Sequence, residues 1–285
     1  MKKSLSIAAI AIASVMTLAA CSSGGTEPTT DPTTTTPAAE FPAGSTMEKL
    51  AKSGEMTLGT KFDQPLFGLK GPSGDPEGFD VEIAKIIADE LGVKIKYVET
   101  VSKNREPFIE NGTVDIVIAT YTINDKRKEV VSFAGPYYIA GQDSLVLANN
   151  TTIKGEADLI GKPVCSATGS TPAKKLEEIG ATPVLFDKYT DCLEPLRAGT
   201  VVAVSTDNVI LAGLAAQNPG DFKVVGSLFT VENYGIGLKH DDTEFRNWIN
   251  DVLEKAEADG RYKAAWDKTV GTNLPYVNPP KVDRY

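Results

Sequence analysis

The sequence predicts an α/β protein of two doubly wound lobes, and three observations predict it. Short apolar runs alternate with amphipathic stretches in two separate series, the grammar of repeated βαβ units. Runs such as residues 114–119 and 201–204 are continuously apolar, as strands covered on both faces of a parallel sheet are. A chain of 285 residues, 41% hydrophobic, is long and apolar enough to bury a core in each half.

Residues 1–20 read as a secretory leader, with Lys2 and Lys3 ahead of an apolar stretch. That stretch is shorter than the roughly 20 apolar residues a transmembrane helix needs. Residues 21–46 read as a disordered tether. Rich in Thr, Pro, Ser and Gly, they bury too little to offset the entropy of ordering, and Pro28, Pro32 and Pro37 keep them extended.

The first series begins with a strand at 56–60. A helix over 80–91 follows, with Ile83, Ile86, Ile87 and Leu91 on one face and Gly92 as its stop. Residues 93–98 read as a strand, 104–111 as a short helix closed by Gly112, and 114–119 as a buried strand. The second series has strands at 162–166, 184–186, 201–204 and 222–225. Its helices fall at 171–179, with Pro172 in the first turn, at 191–198 and at 208–216. A last helix from Thr243 carries Phe245, Trp248, Ile249, Val252, Leu253 and Ala256 as one stripe until Gly260, and a short helix follows over 262–266.

Composition narrows the function. Lys and Arg number 29 against 38 Asp and Glu, a net charge of −9, which lacks the basic footprint that nucleic acid or an anionic membrane surface requires. One histidine, His240, and three cysteines argue against a His- or Cys-ligated metal centre, and no cofactor is expected. Once Cys21 is set aside as below, Cys165 and Cys192 form an even pair in an exported domain. Neighbouring βαβ elements would allow them to form a disulfide; two buried thiols are the alternative.

Residues 18–21, Leu-Ala-Ala-Cys, resemble the lipobox of bacterial lipoproteins. That likeness implies cleavage before Cys21, its lipidation with palmitate-type chains, and a soluble domain tethered to the extracytoplasmic face of the cell membrane. An ordinary cleaved leader with an incidental cysteine is the other reading. Five further segments resemble the extracytoplasmic solute-binding proteins, family 3, of ABC transporters for polar amino acids. They are GFDVEIAKIIADEL at 78–91, NGTVD at 111–115 with ATYTINDKR at 119–127, VSFAGPYY at 131–138, ATGSTP at 167–172, and YGIGLK at 234–239. Their order and spacing hold across nearly all of 50–270, and the glutamate-binding lipoproteins are the most similar type.

The resemblance implies a type II two-lobed clamp. Lobe one would comprise 47–140 and 240–285. Lobe two would lie within 141–239, with crossing segments near 142–149 and 233–239 as the hinge. It further implies capture of glutamate, aspartate, glutamine or asparagine by a monomer that delivers it to a membrane permease with an ATPase. In the family pattern Arg127, five residues after Thr122, takes the ligand α-carboxylate, to which its guanidinium offers a bidentate fork. Thr120 and Thr122 would add contacts. Asp207 would take the ammonium, unless it is only a helix N-cap. Ser170 and Thr171 open a helix where an anion is welcome, and simple capping is their plainer role. Lys61, Ser102, Arg105 and Tyr189 fall where acidic-amino-acid binders contact the side-chain end, and two cations there favour glutamate. The plainer role for Arg105 is an ion pair with Glu106 or Glu110. Phe62 and Gln64 are candidates for the wall. The enzyme alternative is a dehydratase or other lyase on the same clamp. A receptor ligand-binding half is a third class, disfavoured for want of an appended signalling segment.

Overall fold

The computed structural model describes residues 40–285, so the leader, Cys21 and most of the tether lie outside the described residues. The folded part begins earlier than the expected residue 47. Phe41 stands edge-on to Trp248 at 5.8 Å, and Ser45 caps helix α1 (Thr46–Ser53) by accepting the Glu48 N–H at 3.1 Å. A local capping residue and one aromatic contact thus recruit the end of a segment whose composition reads as linker.

The first sheet is built from β1 (Glu55–Thr60), β5 (Lys94–Glu99), β6 (Ile116–Val117), β7 (Val131–Ala140) and β13 (Glu232–Lys239), in the order β5-β1-β6-β13-β7. A small sheet of β2 (Asp63–Gln64), β3 (Gly68–Lys70) and β4 (Pro76–Glu77) follows β1, without any apolar alternation in the sequence to announce it. Helix α2 (Phe79–Leu91) ends on left-handed Gly92, as the sequence predicts. Its entry requires glycine: at Gly78 a Cβ would stand 2.3 Å from the Phe67 carbonyl oxygen. Short helices α3 (Arg105–Glu110) and α4 (Asp125–Lys128) complete this half, together with C-terminal α8 (Thr243–Ala258) and α9 (Arg261–Thr269). The aromatic core under α2 and α9 includes Phe79, Tyr138, Tyr262 and the fully buried Trp266.

The second sheet holds β8 (Gln142–Leu147), β9 (Pro163–Ala167), β10 (Thr182–Phe186), β11 (Ala203–Asp207) and β12 (Phe222–Val224), in the order β10-β9-β11-β8-β12. Helices α5 (Thr171–Glu178), α6 (Leu193–Arg197) and α7 (Asn208–Gln217) pack on it.

Neither sheet is all parallel. In the first, β1 runs parallel to β5 and β6, while β13 is antiparallel to β6 and β7. In the second, β9 runs parallel to β10 and β11, while β8 is antiparallel to β11 and β12. The antiparallel members are the strands that carry the chain between sheets. This shifts the crossings expected at 142–149 and 233–239. Residues 142–147 lie inside the second sheet and 232–239 inside the first, so the chain passes at Gly141 and again within 225–231. The two passages touch: Gln142 donates its N–H to Thr230 Oγ1 at 2.9 Å, and Phe229 donates to the Gln142 carbonyl at 3.1 Å.

The segment 114–119 is shorter as a formal strand than expected. It is nonetheless bonded to β1 beyond its ends, through Asp115 N–H to the Thr57 carbonyl and Ile118 N–H to the Gly59 carbonyl. Cys165 on β9 is bonded to Cys192, the last residue of a 3-10 turn over Tyr189–Cys192, with a Cα separation of 5.7 Å. A closed loop of this length contributes about 3 kcal/mol in the chain-entropy picture. Urea denaturation of a Cys165→Ser/Cys192→Ser variant should lose about that much stability; unchanged stability would contradict a structural role.

Candidate functional site

The strand ends of both sheets meet at a narrow cavity. From the first half it is lined by Ser102, Arg105 and Thr120, and from the second by Ser170, Thr171, Pro172, Tyr189, Asp207 and Ile210. Seven of the ten residues singled out as ligand contacts therefore line one cavity. The other three do not. Lys61 is buried behind it, with Nζ donating to Ser102 Oγ at 2.9 Å. Thr122 lies one step away, its hydroxyl 3.4 Å from that of Thr171. Arg127 borders a wider, open groove, which it shares with Glu106, Gly169, Lys174 and Glu232.

Local structure fixes the cations. The 3-10 turn Ser102–Asn104 leads into α3, so Arg105 points back under its own turn. Its Nε donates to the Ser102 carbonyl, and its Nη1 to the carbonyls of Ala119 and Thr120, each at 3.2 Å. The expected alternative pairing of Arg105 with Glu106 or Glu110 does not form. Glu106 accepts instead from Arg127 Nε at 2.9 Å, while the Arg127 Nη1 donates to the Thr122 carbonyl at 2.7 Å. The two guanidinium carbons lie 4.4 and 5.0 Å from the ring centre of Tyr121, a cation–π arrangement that shares one ring between them.

The anionic side belongs to the second half. Asp207 closes β11 and occupies the N-cap position of α7, yet its side chain makes no capping bond. Its Oδ2 accepts from the Tyr234 hydroxyl at 2.5 Å, and its buried Oδ1 has no partner among the described residues. The N-cap alternative for Asp207 therefore fails. Ser170 does cap α5, accepting the Ala173 N–H at 3.0 Å. The Thr171 hydroxyl donates to Glu232 at 2.8 Å.

Burial without opposite charge at hydrogen-bond distance distorts the titration of these groups. Burial, helped by the Arg105 charge, pushes Lys61 down to about 7. Burial, helped by Glu232, pushes Asp207 up to about 7, and burial raises Asp80 to about 7 as well. Arg105 is lowered by burial and by the neighbouring Arg127.

Three polar groups escaped the sequence reading or stood at its margin. Gln64 accepts the Thr120 hydroxyl at 2.9 Å and keeps a buried, unpartnered Nε2. Asp80 accepts from the Tyr137 hydroxyl and the Thr120 N–H. Tyr234 holds Asp207. Asp80 and Tyr234 sit inside quoted motifs, so the motifs mark the place, but nothing in their spacing reveals the contacts. Among the described residues, no three His, Cys, Asp or Glu side chains gather as a metal site, and no helix is long and apolar enough to cross a membrane.

Bonds also cross the cleft at its rim. Three consecutive residues of the second half each hold a different partner in the first. Asp187 accepts from Lys103 Nζ at 2.7 Å, Lys188 Nζ meets Glu99 at 2.5 Å, and the Tyr189 N–H donates to Asp63 at 3.0 Å. Nearby, Gly169 packs on the Lys103 backbone so closely that a Cβ would lie 2.8 Å from the Lys103 Cα.

The model of the bacterial extracellular solute-binding proteins, family 3, matches residues 56–272. The glutamate-binding protein GluB of Corynebacterium efficiens is 41% identical over 241 residues, 79% of this chain and 82% of the relative. The ABC transporter glutamine-binding protein GlnH of Bacillus subtilis is 36% identical over 277 residues, 95% and 98% of the two chains. Among solved structures, an ancestral arginine-binding protein bound to glutamine superposes with a TM-score of 0.73 at 36% identity, covering 76% of this chain and 98% of its own. An ancestral amino acid-binding protein, AncCDT-1, a precursor of cyclohexadienyl dehydratase, gives 0.73 at 32% identity, covering 79% and 99%.

Half-exposed ion pairs such as Lys188–Glu99 are each worth a few tenths of a kcal/mol. Fluorescence energy transfer between dyes on the two halves should report a closed fraction that falls roughly two- to threefold in Lys188→Glu. It should recover in the Lys188→Glu/Glu99→Lys exchange; no recovery would mean that the pair does not hold the cleft.

Proposed function

The chain belongs to the bacterial extracellular solute-binding proteins, family 3, and on that footing we propose that it captures a free acidic or amide amino acid, glutamate foremost, by closing its two lobes around it. The observation that supports this most is the pairing of unmatched charges around one cavity. Arg105, with Lys61 behind it, comes from one lobe and the half-bonded Asp207 from the other.

In this reading the ligand ammonium goes to Asp207 Oδ1, with the Thr120 hydroxyl beside it. The α-carboxylate goes to Arg127, which gives up its 3.3 Å contact with the Gly169 carbonyl, and to the Thr122 and Thr171 hydroxyls and the Ser170 turn. The side-chain carboxylate goes to Arg105, Ser102 and Lys61, with Tyr189 closing that end. Closing the cleft while it is empty buries these charges at a cost in desolvation. A zwitterion with a second carboxylate supplies the missing partners, so closure becomes favourable when the site is loaded. Glutamine leaves one cation unmatched, which sets the order of preference.

The protein would be a monomer anchored through lipidated Cys21 on the extracytoplasmic face, passing its load to a permease with an ATPase. It would carry out no reaction: the cavity holds no histidine, and Asp207 is reserved for the ammonium. The lyase alternative draws on the dehydratase lineage of AncCDT-1. Mass spectrometry of the pure protein with amino and keto acids separates the two readings, because turnover of any of them defeats the binding reading.

Calorimetric titration should rank glutamate above glutamine; equal affinities would refute the roles given to Lys61 and Arg105. Arg127→Ala should weaken all four candidate amino acids by about a hundredfold, the worth of a bidentate charged contact. Asp207→Asn should weaken them roughly tenfold or more.

A further inference from the structure

Asp80 belongs to the GFDVE signature, is wholly buried, and takes no part in the contacts proposed above. We propose that it is the positioning residue for the cationic side of the cavity, holding the turn whose carbonyls orient Arg105. The inference rests on the glutamate reading for its binding consequences and on geometry for the rest.

A buried carboxylate is tolerated when both oxygens are bonded. Asp80 Oδ1 accepts from the Tyr137 hydroxyl at 2.6 Å, and Oδ2 accepts the Thr120 N–H at 2.8 Å. Thr120 has φ +44°, in the left-handed region that residues other than glycine rarely enter. Such a turn persists when its surroundings over-determine it. Here the contacts are complete on every side: Asp80 takes the N–H, Gln64 takes the hydroxyl, and Arg105 Nη1 is held by the carbonyl.

The consequence is directional. The turn brings the carbonyls of Ala119 and Thr120 onto a single nitrogen of Arg105, while Nε is held by the Ser102 carbonyl. The guanidinium is thereby fixed by neutral acceptors and makes no ion pair within 4 Å among the described residues. A cation fixed in advance loses little freedom when an anion arrives. Asp80 thus acts on the ligand through two steps, Thr120 and then Arg105. Its plainer role is to stabilise α2 as an acid in the first helical turn, which depends on its charge rather than on an acceptor aimed at Thr120.

Asp80→Ala removes charge and acceptor together, whereas Asp80→Asn removes the charge and keeps an amide oxygen for the Thr120 N–H. Asp80→Ser, whose hydroxyl is too short to span the gap, replaces the alanine variant should that one not fold. Each is measured in the full chain by melting temperature, by calorimetric titration with glutamate and with glutamine, and by crystallography. In a folded Asp80→Ala both affinities should fall, since the Thr120 hydroxyl also stands beside the ammonium, and glutamate should lose at least threefold more than glutamine because the loosened guanidinium meets the side-chain carboxylate. Asp80→Asn should restore glutamate affinity to within threefold of the parent. Equal losses for both amino acids, no loss, or an asparagine variant as deficient as the alanine would overturn the proposal. A parent that binds none of the four amino acids defeats the proposed function instead, and the crystal structure of Asp80→Ala then decides. Arg105 released from the Ala119 and Thr120 carbonyls supports the positioning role, and Arg105 unmoved refutes it.

Discussion

Arg105 and Asp207 face one cavity from opposite lobes, each buried and neither paired with an opposite charge among the described residues. Leaving a charge in this condition is expensive, and proteins ordinarily avoid it by pairing or by neutralisation. The molecule instead distributes partial remedies. Arg105 rests on carbonyl oxygens, Lys61 on one hydroxyl, and Asp207 on the Tyr234 hydroxyl. Each remedy holds the group in place without supplying an opposite charge. A site of this kind discriminates by what it lacks, and a ligand is favoured to the degree that its charges complete the set.

The rest of the architecture serves that incompleteness. Two strands carry the chain between the sheets side by side, so the lobes are joined along one edge and face each other across the cleft. Asp187, Lys188 and Tyr189 reach across the rim from a segment that the disulfide ties to β9 through Cys192. The two ion pairs among these bonds, Lys103–Asp187 and Lys188–Glu99, are exposed enough to be individually weak, while the Tyr189–Asp63 bond is buried.

Much of the scaffold was legible in the sequence because periodicity reports burial directly. Helix α2 with its Gly92 stop, the α8 stripe and the strands around 56–60 and 163–167 follow from which residues must leave water. Polarity of pairing is less legible, because a buried parallel strand and a buried antiparallel one carry the same apolar run; hence β8 and β13 read as crossings in the sequence and stand as sheet members in the fold. The start of the folded part is not legible in the sequence, because Phe41 and Ser45 act through single contacts with no period to reveal them. In the site, residue type and motif position brought together seven cavity residues. The partner of Glu106 was out of reach, since neighbours in sequence compete with neighbours in space, and Arg127 rather than Arg105 takes it. Asp80 was quoted as part of a signature, but its tie to Thr120 spans forty positions and depends on a backbone angle that no side-chain pattern encodes.

The central claim is that a zwitterion bridges the lobes by matching buried charge on each. A crystal structure with glutamate bound tests it most directly. The ligand ammonium should lie within hydrogen-bond distance of Asp207 Oδ1, with its two carboxylates on Arg127 and Arg105. A ligand seated elsewhere, or Asp207 still holding an unpartnered oxygen in the loaded protein, would contradict it.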